Sequence, residues 1–223
     1  MSTNRRYNLL CPIARGLDHV GDRWTLLLLR DLHAGPARFT DLQKGLPRLA
    51  SNLLTDRLRQ MEADGLIRRR PAEFGVVVYE LTDLGESTGA LLFNLAQLGT
   101  HFPPDEDVES PGSLRAIAVT LKEALRAVVE ESTTITAGLL VDGEAFTIEI
   151  LDGEVSVRHA QPVDADVTIA TEYGPIIAVG DGDLDLETFT KNHVKVVSGD
   201  PTKLAELFEL LTRAFSLITV NEA

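Results

Sequence analysis

A second cysteine is missing from this chain. Cys11 stands alone, so no disulfide can close within the chain, and the composition fits a reducing, cytoplasmic setting. Long apolar runs are missing too. None exceeds the four residues of Leu26–Leu29, whereas a membrane-spanning helix needs about 20. The N-terminus, MSTNRRYNLLCPIARG, has arginines but no sustained apolar core behind them, so neither a signal peptide nor a membrane partner is expected. His19, His33, His101, His159 and His193 are scattered without ligand spacing, which argues against a metal; no cofactor is expected. No glycine-rich phosphate loop, Walker sequence or nucleophile elbow occurs, and no nucleophile–base pair or carboxylate pair stands out. The chain is therefore not expected to be an enzyme. VGDGDLDLE, Val179–Glu187, clusters acids without the spacing of a calcium loop and reads as a turn and a helix start.

Cations are scarce overall, with 21 Lys and Arg against 34 Asp and Glu and a net charge of -13. The shortage is local. Residues 1–104 hold 13 cations and 11 acids, whereas residues 105–223 hold 8 and 23. The second half should be repelled by a phosphate backbone, while the first could meet one if its cations cluster. Between the halves, HFPPDEDVESPG carries three prolines and four acids and reads as an exposed linker. We therefore expect domains at 1–101 and 113–223, joined by 102–112.

The first half reads as mainly helical. Asp22 can cap a helix over about Arg23–Leu32, ended by Gly35-Pro36, and Thr40 can cap the short helix of FTDLQKGL. Ser51 can cap a helix over about 52–64, with Leu54, Leu58 and Met61 on one face and Asn52, Thr55, Asp56 and Arg59 on the other. LIRRR, a turn PAEFG and VVVYELT form a basic hairpin, and a last helix runs over about 83–99. The second half opens with an amphipathic helix, after which strands alternate with the tight-turn pairs Asp142-Gly143 and Asp152-Gly153. Further strands, ADVTIAT and HVKVVSG, precede a final helix that Asp200 and Pro201 open. This half reads as α+β, an antiparallel sheet covered by helices.

Helix, turn, helix and basic hairpin is the order of a winged helix-turn-helix, and its chemistry suits double-stranded DNA. Asn52 and Arg59 are types that bond base edges in pairs, and Ser51 and Thr55 can reach bases or phosphates. Arg68, Arg69 and Arg70 lead into the hairpin as phosphate clamps, and Arg38, Lys44 and Arg48 flank the short helix and its turn. Asp56 and Glu73 sit within the same basic region and oppose it electrostatically.

CPIARGLDHVGDRWTLLLLRDLHAGPARFTDLQKGL, then LASNLLTDRLRQMEADGLIRRR and YELTDLGE, resemble the HxlR-type winged-helix transcriptional regulators over roughly residues 7–101. The resemblance implies a homodimer joined through the first and last helices of the module. It makes the Ser51 helix the recognition helix and Arg68–Gly75 the wing, addressing two half-sites. In some members of that family a cysteine at the place of Cys11 senses oxidants or electrophiles. The alternative for Cys11 is a small apolar side chain buried at the dimer interface.

From Leu114 onward, ADVTIATEYGPIIAVGDGDLDLETF and HVKVVSGDPTKLAELFELL resemble sterol-carrier-protein-type domains over roughly residues 114–217. The resemblance implies a cavity for an apolar small molecule, walled by Phe146, Ile148, Val157, Ile169, Ile176, Phe189, Leu207 and Leu211. The same residues would serve equally as a filled core. The expected protein is thus a dimeric DNA-binding regulator whose operator affinity an apolar effector modulates. Two alternatives stay open: a second domain used only for dimerisation or protein docking, and a carrier of hydrophobic ligands with vestigial DNA binding.

Overall fold

The computed structural model describes residues 6–72, 75–102 and 112–218. It divides into two compact units, one reaching to Thr88 and one beginning at Gly89. The first unit runs α1 (Pro12–Val20), α2 (Thr25–Leu32), β1 (Ala37–Arg38), α3 (Phe39–Gly45), α4 (Ser51–Ala63), β2 (Ile67–Pro71), β3 (Val77–Leu81) and α5 (Asp83–Glu86).

Its helix starts follow local chemistry, with two departures from expectation. Asp22 accepts the backbone N–H groups of Trp24 and Thr25 at 2.9 and 3.2 Å, so it caps α2 although the helix starts later than expected. Thr40 lies inside α3. It is Asp41 that turns back to accept the Arg38 N–H, at 3.0 Å. Ser51 is likewise not a cap. The carbonyl of Ala50 already accepts the N–H of Leu54, so α4 begins one residue early and Ser51 sits inside it. Leu28, Leu29 and Leu32 of α2, Leu42 of α3, and Leu54, Leu58 and Met61 of α4 are all buried in one core.

The single helix expected over 83–99 is broken into α5 and α6 (Gly89–Gly99). Ser87 and Thr88 turn their hydroxyls back onto the carbonyls of Leu84 and Gly85, which closes α5. Gly85 presses against the chain at Leu66, where a Cβ would stand 2.1 Å from the carbonyl oxygen. Past this break, α6 packs along α7 (Ala116–Arg126), within the second unit. The proposed linker, 102–112, lies mostly outside the described residues, which resume at 112.

The second unit continues with β4 (Ile135–Val141), β5 (Glu144–Leu151), β6 (Glu154–Arg158), β7 (Val167–Thr171), α8 (Tyr173–Gly180), α9 (Leu186–His193), β8 (Lys195–Gly199) and α10 (Pro201–Phe215). Both expected Asp-Gly turns are present, and Asp142, Gly143, Asp152 and Gly153 all have positive φ, as a two-residue hairpin turn of this type requires. VGDGDLDLE begins with the last two residues of α8, then turns and starts α9, which Asp185 caps on the N–H of Thr188. Asp200 caps α10 on Thr202 and Lys203.

The strand order is β6-β5-β4-β7-β8, and the sheet is mixed rather than antiparallel, because β4 and β7 run parallel. A parallel pair needs a crossover. Here residues 159–166 cross the sheet: Thr147 donates to the carbonyl of Ala160, and the N–H of Asp166 to that of Thr136. The crossing is possible because position 138 has no side chain. A Cβ on Gly138 would lie 2.8 Å from the Pro162 ring. The opposite face of the sheet is the apolar one.

Candidate nucleic-acid interface

Burying Leu54, Leu58 and Met61 turns the other side of α4 outward. Ser51, Asn52, Asp56 and Arg59 are exposed there, with Thr55 half-buried. The sequence-derived reading face is therefore assembled on one helix surface. Thr55 donates its hydroxyl to the carbonyl of Ser51 at 2.8 Å, which leaves its oxygen as an acceptor. Asn52 accepts the Leu53 N–H through Oδ1 at 2.9 Å. Asp56 sits one turn from Arg59, at 3.8 Å, with both side chains about three-quarters exposed (72% and 76%). Such a pair is weak and easily opened, so Asp56 is a neighbour of Arg59 and no anchor.

A residue that pattern reading passed over adds to the hold of the buried apolar face on α4. Arg57 points back from α4, its Nε 3.4 Å from Asp22, the same carboxylate that caps α2. One acid thus ties the start of α2 to α4. Gln43 of α3 donates to the carbonyl of Leu49 at 2.6 Å and pins the turn that leads into α4.

The hairpin sorts its arginines by face. Side chains alternate along a strand, and the register pairs Arg68 with Glu80, Arg69 with Tyr79 and Arg70 with Val78. Arg68 and Arg70 share one face with Glu80, whose two oxygens take their Nε–H groups at 2.7 and 2.8 Å. These hydrogen bonds, Arg70's first, hold the Glu80 carboxyl below the ordinary glutamate range. Arg69 points to the other face and pairs with Glu62 of α4 at 3.1 Å, which pushes its already high pKa further up. The three arginines that the sequence offers as phosphate clamps are thus divided into one pair sharing a carboxylate and one arginine tied to α4.

Arg38 belongs with the hairpin as well as with α3. β1 joins the sheet on the far side of β3, in the order β1-β3-β2, and Arg38 pairs with Val78. Lys44 and Arg48 are exposed on α3 and the turn after it. Among the described residues, Arg38, Lys44 and Arg48 have no ion-pair partner, so these three carry the least compensated positive charge of the interface. Glu73, expected within the same region, lies outside the described residues.

In the second unit, cross-strand register brings four of the proposed wall residues onto one sheet face. Ile148 pairs with Val157, while Leu139 pairs with both Phe146 and Ile169. Phe146, Ile148, Val157, Ile169, Phe189, Leu207 and Leu211 are all buried, and Ile176 of α8 is half-buried. Phe189 lies 6.0 Å from the ring of Phe215 on α10. Phe146, Ile148, Val157 and Ile169 thus form one apolar sheet face, and α10 packs against β4 of that sheet.

Cys11 is exposed and immediately precedes α1. It stands beside an exposed apolar stripe, Leu10, Ile13 and Leu17, spaced along α1 and its approach. A second stripe of Leu91, Leu95 and Leu98 is exposed on α6. Among the described residues no group of three His, Cys, Asp or Glu is placed to hold a metal, and no helix is long and apolar enough to cross a membrane.

A family profile described as HxlR-like helix-turn-helix matches residues 19–107. The uncharacterised HTH-type transcriptional regulator sll1512 of Synechocystis is 34% identical over 102 residues, a match spanning 45% of this chain and 76% of that protein. An uncharacterised HTH-type transcriptional regulator of Methanothermobacter thermautotrophicus is 33% identical over 95 residues, spanning 42% of this chain and 72% of that one. Among solved structures, quinone-bound YodB from B. subtilis matches at 26% identity, covering 42% of this chain and 100% of that chain, with a TM-score of 0.37.

Proposed function

This chain belongs, through its first half, to the HxlR-like helix-turn-helix family of transcriptional regulators, and on that premise we propose that it binds DNA as a dimer under the control of an apolar small molecule. The observation that carries the DNA reading is the arrangement around α4. Its apolar face is anchored in the core, its polar face is exposed, and the same unit carries a sheet bearing Arg38, Arg68 and Arg70. Asn52 and Arg59 read base edges, with Ser51 and Thr55 beside them. Lys44 and Arg48, with the arginines of the wing, grip phosphate.

Dimerisation fits the two exposed apolar stripes on α1 and α6, since apolar surface of this kind is usually covered by a partner. A dimer doubles the phosphate contacts and lets a module of modest charge select two half-sites. The second unit takes the effector in its sterol-carrier-like layer, between the sheet face of Phe146 and Ile148 and the helices α9 and α10. Its acidic charge disfavours loose attachment to DNA. Coupling follows from linkage: an effector that binds better in one arrangement of the dimer shifts the spacing of the recognition helices and, with it, operator affinity.

The test is a gel shift of the full-length protein on the DNA upstream of its own gene, over a salt series, before and after organic extraction of apolar material that copurifies. Binding should weaken steeply with salt and should change by about fivefold or more on extraction, the lower end of typical allosteric coupling. Salt-insensitive or absent binding refutes DNA recognition. Identical binding before and after extraction refutes effector control by such material.

A further inference from the structure

Glu80 stands between two arginines of the proposed DNA face, in a setting unlike that of the Asp56–Arg59 pair of α4. Its side chain is only 14% exposed, whereas those of Arg68 and Arg70 are 67% and 48% exposed. The acid lies inside and the cations lie outside. The Asp56–Arg59 pair of α4 has both partners in solvent, so it restrains neither.

We propose that Glu80 is a positioning residue for DNA binding: its carboxylate fixes Arg68 and Arg70 side by side and limits the charge the wing delivers to phosphate. The proposal rests on the DNA-binding reading above. Both arginines are engaged through Nε, at 2.7 and 2.8 Å. A guanidinium bound this way keeps its terminal amino groups for a second acceptor, and two parallel N–H groups match the oxygens of a phosphate.

The sheet adds a third cation to the same face. Side chains paired across neighbouring strands project to one side, so Arg38, Val78 and Arg70 form one row across β1, β3 and β2. Glu80 and Arg68 form the next row on that side, since Glu80 is two residues along from Val78. Two guanidiniums therefore hold the carboxylate, and a third, that of Arg38, lies on the same sheet face without pairing to it. That carboxylate stays ionised at neutral pH, because both its arginines favour the charged form.

Two consequences follow from the arrangement. First, the arginines are held in a fixed fork rather than as two mobile cations, so they suit one placement of the phosphate backbone and serve poorly on others. Second, Arg68 and Arg70 together present about one net charge to DNA. Removing the carboxylate frees both to neutralise any phosphate within reach, which strengthens generic binding and erodes discrimination.

The experiment compares wild type, Glu80→Gln and Glu80→Asp, all full length, on the upstream duplex and on a generic duplex of equal length. Binding is measured over a salt series, with thermal melting of each variant as a check on folding. Glu80→Gln should steepen the log–log salt slope on the generic duplex by about 0.9, the value for one added phosphate contact. At ~0.1 M salt that corresponds to roughly eightfold tighter generic binding, and the ratio of upstream to generic affinity should fall. Glu80→Asp keeps the charge, so its slope should match wild type. Its shorter arm cannot span both arginines, so discrimination should still fall.

Unchanged slope and ratio in Glu80→Gln overturn the proposal. So does equal weakening on both duplexes with an intact melt, since Glu80 then only supports the hairpin. Should Glu80→Gln fail to fold, Glu80→Asp decides alone: lost discrimination at wild-type slope supports the role, and wild-type discrimination overturns it. A wild type without salt-dependent binding removes the DNA reading itself, and this role with it. A normal wild-type slope beside an unchanged Glu80→Gln slope removes only the role of Glu80.

Discussion

Asn52 and Arg59 can offer a base edge what Ser51 and Thr55 beside them cannot. Each presents a planar group with parallel hydrogen-bonding positions, and both are exposed on the surface opposite Leu54, Leu58 and Met61. Asn52→Ala and Arg59→Ala should each relax base preference, costing ~1–3 kcal/mol against the preferred operator if the contact is bidentate. Lys44→Ala should act differently. Lys44 is exposed and has no ion-pair partner among the described residues, so its loss should weaken all sequences alike and flatten the salt dependence by about one contact. Binding of the three variants to a small panel of point-changed duplexes checks this. Equal losses on every duplex for Asn52→Ala and Arg59→Ala would mean that α4 grips the backbone without reading bases. Arg69 is a poorer choice for the phosphate test than its sequence suggests, since Glu62 of α4 already holds it on the other face of the hairpin.

At the scale of elements, the decisive positions are glycines pressed against other segments. At Gly85 a Cβ would meet the backbone carbonyl of Leu66 at 2.1 Å, and no rotamer change can relieve a clash with backbone. Gly85→Ala should therefore force β2 and α5 apart and cost at least ~1–3 kcal/mol, the range for overpacking. Gly16, in the middle of α1, has open space around its Cβ position, and Gly16→Ala should stabilise by up to ~1 kcal/mol. Thermal or denaturant unfolding of the two variants checks the contrast, and equal effects would show that the Leu66 contact does not matter. The same contrast explains what was legible beforehand. β5 matched its expected range because Asp-Gly turns and alternating apolar residues are local signals. The break between α5 and α6 has a local signal, the Ser87 and Thr88 hydroxyls turned onto the carbonyls of Leu84 and Gly85, which apolar periodicity alone passes over. The parallel β4–β7 pair was hidden for a different reason: only the folded sheet reveals that Pro162 crosses over Gly138. Among site residues, the division of Arg68 and Arg70 from Arg69 follows from strand alternation and could have been read. Their partners, Glu80 and Glu62, could not, since register and α4 packing choose them.

For the molecule as a whole, net charge and exposed apolar surface point the same way. The first 104 residues have only two more cations than acids, and several of the arginines at the interface are already paired with carboxylates. A single module of that kind should hold DNA weakly, because affinity grows with the number of phosphates neutralised. Two modules joined in a dimer overcome the shortage, since the second contact forms at a high effective concentration once the first is made. The surfaces proposed to join them are Leu10, Ile13 and Leu17 at α1, and Leu91, Leu95 and Leu98 on α6. Ile13 is 75% exposed in the single chain, so a charge there costs the monomer little while burying it in a dimer costs several kcal/mol. Ile13→Asp should accordingly leave the melting behaviour of the monomer intact, shift the protein to monomers in analytical ultracentrifugation, and lower affinity for the upstream duplex by more than tenfold, given avidity gains of about 10²–10⁴. A variant that remains dimeric would move the interface away from α1. A monomeric variant that binds as tightly as wild type would show that one recognition helix suffices, and the need for two half-sites would lose its physical basis.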